Sequence, residues 1–159
     1  MSATRTMGIA VTDVDTTAQL PLGFVYREPA SSDNEGEKHW IYVFNDEAST
    51  AFAVGGLVQR DAATSTYDGI VSTGAVSPQR IMGIAQHAIA AGSYGFILRQ
   101  GIGVVLCDGN VTANLAFCPD ATASYATDVA AVTDSALGVA LATDAGAGTT
   151  VAAYIKCTG

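Results

Sequence analysis

Glycine sets the rhythm of this chain. Its apolar runs are short and broken by turns, many of them carrying glycine, a pattern that suits strands better than sustained amphipathic helices. One frame of this kind occurs twice. Ile81-Met82-Gly83-Ile84-Ala85 leads through Gly92 to Phe96-Ile97-Leu98 and Gly101, and Ala136-Leu137-Gly138-Val139-Ala140 leads through Gly146 to Val151-Ala152-Ala153-Tyr154-Ile155 and Gly159. The two copies lie about 55 positions apart. Two copies are too few for a solenoid, and the frame predicts two similar hairpins within one β-fold. In the first copy, Ile81, Ile84, Ala85, Ala88 and Ile89 also fit helical spacing. The alternation of Leu137, Val139 and Leu141 in the second copy decides for strands in both, with a short helical turn expected near His87 to Ala91.

The rest of the chain follows the same pattern. Leu22 to Tyr26 and Trp40 to Phe44 are rich in aromatic and β-branched residues. They flank a polar stretch, Pro29 to Glu37, and so predict a hairpin with a long solvated tip. Trp40, Tyr42 and Phe44 fall on one face of that strand and Ile41 and Val43 on the other. Both faces are apolar, so the strand is expected to be covered on both sides. Further strands are expected over Ala51 to Val58, interrupted by Gly55-Gly56, and over Gly103 to Cys107 and Asn114 to Cys118, with a tight turn at Asp108-Gly109-Asn110. Asp61 to Asp68 reads as a polar turn and Pro119 to Ser135 as a surface loop. Around ten short strands in all predict an all-β fold, a short-stranded barrel or sandwich. An extended N-terminal arm covers residues 1–18, and a single β-rich domain covers 19–159.

Composition narrows the partners. The chain has 159 residues, with 7 Lys and Arg against 15 Asp and Glu, for a formal net charge of −8. Its cations are dispersed along the sequence, which disfavours a nucleic-acid partner, since phosphate backbones are held by clustered Lys and Arg. Apolar residues at 49% can form a core, which argues against disorder. No run reaches the roughly 18 apolar residues of a membrane-spanning helix, and the polar start, Met1 to Thr6, lacks the apolar core of a secretory signal. Cys107, Cys118 and Cys157 are odd in number and match no metal spacing, so buried or half-buried thiols in a reducing compartment are expected, with one disulfide and a spare thiol as the alternative.

Tests for chemistry return little. Ala91-Gly92-Ser93-Tyr94-Gly95 imitates a nucleophile elbow, but a strand follows it rather than a helix, and both histidines, His39 and His87, precede the serine; it reads as a β-turn. Gly101-Ile102-Gly103 begins a dinucleotide pattern that Leu106 interrupts. Asp13-Val14-Asp15 lacks the further ligands of a calcium loop. No enzyme, cofactor or metal site is expected.

The run from Arg80-Ile81-Met82-Gly83-Ile84-Ala85 through Ala90-Ala91-Gly92-Ser93-Tyr94-Gly95-Phe96-Ile97-Leu98-Arg99-Gln100-Gly101 resembles small virion proteins of tailed bacteriophages. The segments Gln19 to Gly23, His39 to Phe44, Leu137 to Ala140 and Val151 to Lys156 are similar to the same group. The resemblance implies a capsid decoration (cement) protein: a structural virion protein made in the host cytoplasm, bound to the outer surface of the major capsid protein lattice, typically as a homotrimer. Such a role needs no cofactor, no membrane and no nucleic acid. The alternating apolar residues Met7, Ile9 and Val11 make the arm a candidate contact with the capsid or a neighbouring subunit, because an ordered arm can extend another protein's sheet. The alternative is a head- or tail-fibre domain binding host glycans through aromatic residues such as Trp40, Tyr67, Tyr94 or Tyr125.

Overall fold

The computed structural model describes residues 8–32, 35–61, 66–74, 76–130 and 136–159. The described residues form ten strands: β1 (Val25–Glu28), β2 (Lys38–Asn45), β3 (Leu57–Arg60), β4 (Asp68–Val71), β5 (Ile81–Ile84), β6 (Tyr94–Cys107), β7 (Ala116–Pro119), β8 (Ala126–Asp128), β9 (Gly138–Ala140) and β10 (Thr149–Lys156). The fold is all-β, as the glycine-punctuated runs require. The aromatic hairpin forms as β1 and β2, with Tyr26 opposite Trp40. Both faces of β2 are covered: Trp40 and Tyr42 pack in one apolar cluster, and Ile41 and Val43 in another.

Strand pairing closes two circuits of five. In the first, β2 pairs with β4, β4 with β3, β3 with β5, β5 with β6, and β6 returns to β2. In the second, β6 pairs with β8, β8 with β7, β7 with β9, β9 with β10, and β10 returns to β6. Each has one parallel pair, β2–β4 and β6–β8 respectively, and its other pairs are antiparallel. The two therefore share one topology, in which β2 to β6 correspond in chain order to β6 to β10. Strand β6 closes the first circuit with its N-terminal half and opens the second with its C-terminal half.

The hydrogen bonds repeat as well. Gly56 N–H donates to Ala53 O and Leu115 N–H to Thr112 O; Gly55 N–H donates to Ala85 O and Asn114 N–H to Ala140 O; Gly92 N–H donates to Asn45 O and Gly148 N–H to Cys107 O. The frame noticed in the sequence is the best-preserved part of a larger repeat, and its two copies are the hairpins β5–β6 and β9–β10.

Inside the first circuit lie Ile41, Val43, Phe52, Val58, Met82, Ala85, Ile89 and Ile97. At matching places the second has Phe117 for Val58, Leu137 for Met82, Ala140 for Ala85 and Ala153 for Ile97. A larger residue on one strand is offset by a smaller one across from it, the usual way a core keeps its volume as its sequence changes. The cluster that includes these residues also reaches under the N-terminal arm, where Val11, Leu20, Tyr42 and Phe96 are buried.

Four expectations need correction. Phe96 to Leu98 and Gly103 to Cys107 are one 14-residue strand, not two, because Gly101, at φ +119°, stays in unbroken register with Ile155 of β10 instead of ending the strand, and the register shift against β2 is absorbed at Arg99, between Leu98 and Gln100. No helical turn forms near His87 to Ala91. Ile89 instead makes a bridge with Phe52, and the helical turn present is the 3-10 turn Pro78–Arg80. Only Leu57 and Val58 of the run Ala51 to Val58 enter a strand, since Val54 and Gly55 turn the chain. The stretch Pro119 to Ser135 contains β8, a three-residue strand whose one apolar residue is Ala126; residues 131–135 of it lie outside the described residues.

Candidate functional site

The chain's cations are scattered in sequence but not in space. Arg27 stands opposite His39 across β1 and β2, His39 opposite Gln100 across β2 and β6, and Gln100 opposite Lys156 across β6 and β10. Directly opposed residues on neighbouring strands lie about 5 Å apart and share a face, so these four form one row across four strands. With Arg99, Val25, Cys157 and Thr158 they line an open cleft of about 560 Å³. Three of the chain's seven Lys and Arg thus meet in one cleft of a molecule whose net charge is −8. His39 Nε2 hydrogen-bonds Glu37 Oε1, and Arg99 Nε donates to Cys157 O at 3.5 Å. The sequence hid this cluster because pairing register, not spacing, assembles it. Its chemistry suits carboxylate groups on a partner surface.

Next to the row on β10, the outer face of the second circuit exposes Tyr154 (41%), Val139 (39%) and Leu141 (48%). Tyr154 opposes Ile102 on β6 and Val139 on β9. Shallow grooves of about 350 and 380 Å³ flank it. The first is lined by Glu35, Gly36, Glu37, Gln100, Gly101 and Ile102, and the second by Ala116, Ala136, Gly138, Val139, Lys156 and Thr158.

The arm residues singled out in the sequence lie elsewhere. Val11 is buried in the protein's own core and Ile9 is half-buried against it; Met7 lies outside the described residues. The arm is tied down by a bridge between Asp15 and Tyr94 and by Gln19 N–H donating to the Tyr42 hydroxyl. Of the aromatics considered for sugar stacking, Trp40 is buried with Nε1–H donating to Glu28 Oε2, Tyr94 stacks on Tyr42, and Tyr67 and Tyr125 are half-buried.

Ser93 is buried at the start of β6, and Ser93 N–H donates to Ala90 O, closing the turn expected there. Neither ring nitrogen of His87 has a hydrogen-bond partner, and burial lowers its pKa, with Asp13 acting in the opposite sense. The three cysteines form no disulfide. Burial pushes the Cys107 and Cys157 thiols up to about 12, which keeps both protonated and poorly nucleophilic. Among the described residues, no group of three metal-ligating side chains converges, and no helix is long and apolar enough to cross a membrane.

The chain matches no family model and no curated protein sequence.

Proposed function

We propose that this protein is a structural virion component, a capsid decoration protein that binds the outer surface of a major capsid protein lattice and stabilises the head. The observation that supports this reading is the position of the run Arg80–Gly101, on which the likeness to phage virion proteins rests. That run supplies β5 and the first half of β6, the strands that close the first circuit, so the resemblance falls on the scaffold. A scaffold of this kind suits a mechanical role. Both circuits close on themselves, and closure leaves fewer unpaired strand edges. The basic cleft of Arg27, His39, Arg99 and Lys156 is the natural contact for acidic groups on a capsid surface. The contact is expected to weaken with salt, as interactions between exposed charges do.

The test is co-sedimentation of the purified protein with undecorated capsids. Saturable binding, weakened by Arg27→Glu and by raised salt, is the expected result. Absence of saturable binding at any salt concentration would sink the proposal.

A further inference from the structure

We infer that the outer face of the second circuit, centred on Tyr154 and Val139, is the seat of a second copy of this chain. The inference concerns association between copies of the chain and does not depend on capsid binding. Paired through their hydrogen bonds and register, Tyr42 corresponds to Val104, Phe96 to Ala152, Leu98 to Tyr154 and Ile84 to Val139.

In the first circuit this face is closed. The N-terminal segment crosses its Tyr42–Phe96 part from the Asp15–Tyr94 bridge to β1, with Gln19 N–H donating to the Tyr42 hydroxyl and Phe24 edge-on against Phe96, while Leu98 and Ile84 are fully buried in the apolar cluster that also holds Val105, Ala153 and Ile155 of the second circuit. The second circuit has no arm of its own, because its first strand is β6, which continues directly from the first circuit. Its matching face stays open, with Tyr154, Val139 and Leu141 on the surface.

Charge selects the occupant. Over most of their surface, copies carrying −8 repel one another. The rims of this face have opposite signs: Lys156 borders the groove on one side of Tyr154, and Glu35 and Glu37 border the groove on the other. A second copy brings both rims. A rotation that lays Tyr154 of one copy on the face of another therefore sets Lys156 against Glu35 and Glu37, and symmetry repeats the contact.

Light scattering on the full chain, without capsids, tests this. The expected mass is a multiple of 16.2 kDa. Tyr154→Lys should weaken association at least tenfold while leaving the circular dichroism of the β-fold unchanged. Lys156→Glu, an exposed substitution that the fold should tolerate, should weaken it as well, and adding Glu37→Lys should restore it. A mass of 16.2 kDa at all concentrations, or an unchanged oligomer in both Tyr154→Lys and Lys156→Glu, overturns the inference. So does an oligomer-free chain whose capsid binding is lost in Tyr154→Lys, since the face would then belong to the capsid. A chain that associates through this face yet fails to bind capsids defeats only the proposed function.

Discussion

Gly55 and Asn114 hold the same place in the two circuits, and both have positive φ, +78° and +67°. Such a backbone costs an L-residue about 1–2 kcal/mol, less for Asn, which tolerates the left-handed region. Their surroundings differ, however. A Cβ at Gly55 would lie 2.7 Å from the Leu106 backbone nitrogen, where Leu106 N–H donates to Gly55 O and joins the circuits. Thermal melts should therefore show Gly55→Ala destabilised by several kcal/mol, about 1–2 of them from φ alone, and Asn114→Gly close to neutral. Equal small effects at both sites would contradict this. His87 makes a pH-dependent case. Its folded pKa lies below the ordinary 6.5 because burial disfavours the cation. Below pH 6.5 the unfolded chain therefore binds a proton that the folded chain does not. Stability is fully present above 6.5 and falls as pH drops from there toward the folded value. Urea midpoints at pH 7.5 and pH 5 should differ less in His87→Leu than in the unsubstituted protein; an identical pH dependence would refute the assignment.

At the scale of elements, the circuits are held together by side chain as well as strand. The Gln86 amide donates to Val104 O at 3.0 Å and accepts from Val104 N–H at 2.8 Å, taking the place of a strand partner beside β6. Gln86→Leu strips both bonds, and leaving a partly buried backbone pair unsatisfied costs about 1–3 kcal/mol. The unfolding midpoint should drop accordingly, and amide exchange at Val104 should quicken relative to Ile97 in the first circuit; unchanged exchange at Val104 would mean that water or a neighbouring strand replaces the clamp. The elements differed in how legible they were. The β1–β2 hairpin and the two Gly-framed hairpins were readable because period, turn residues and β-branched content all agree there. Strand β8 was not, since Ala126-Thr127-Asp128 carries almost no apolar signal and is held by its partners. The continuity of β6 was hidden by Gly101, which reads as a break yet stays in register with Ile155.

Over the whole molecule, the repeat accounts for a one-sided surface: two equivalent circuits, one with its outer face covered and one with it bare. Part of that was legible, because the Gly83 and Gly138 frames survive in sequence. Most was not, because equivalent core positions exchanged volumes, as at Val58 and Phe117, and equivalent outer positions changed character, as at Leu98 and Tyr154. The candidate surfaces were invisible for a related reason. Arg27, His39 and Lys156 become neighbours only through the register of β1, β2, β6 and β10. The low charge content, 14%, leaves few cations, so grouping three in one cleft concentrates what positive potential the molecule has. The proposed decoration role calls for a rigid scaffold, a surface complementary to the shell and many copies. Quantitative mass spectrometry of purified virions tests that role most directly. This chain is expected at a copy number comparable to that of the major capsid protein, and is expected to be released from intact heads by high salt. Its absence from virions, or its presence at only a few copies per particle, would contradict the account.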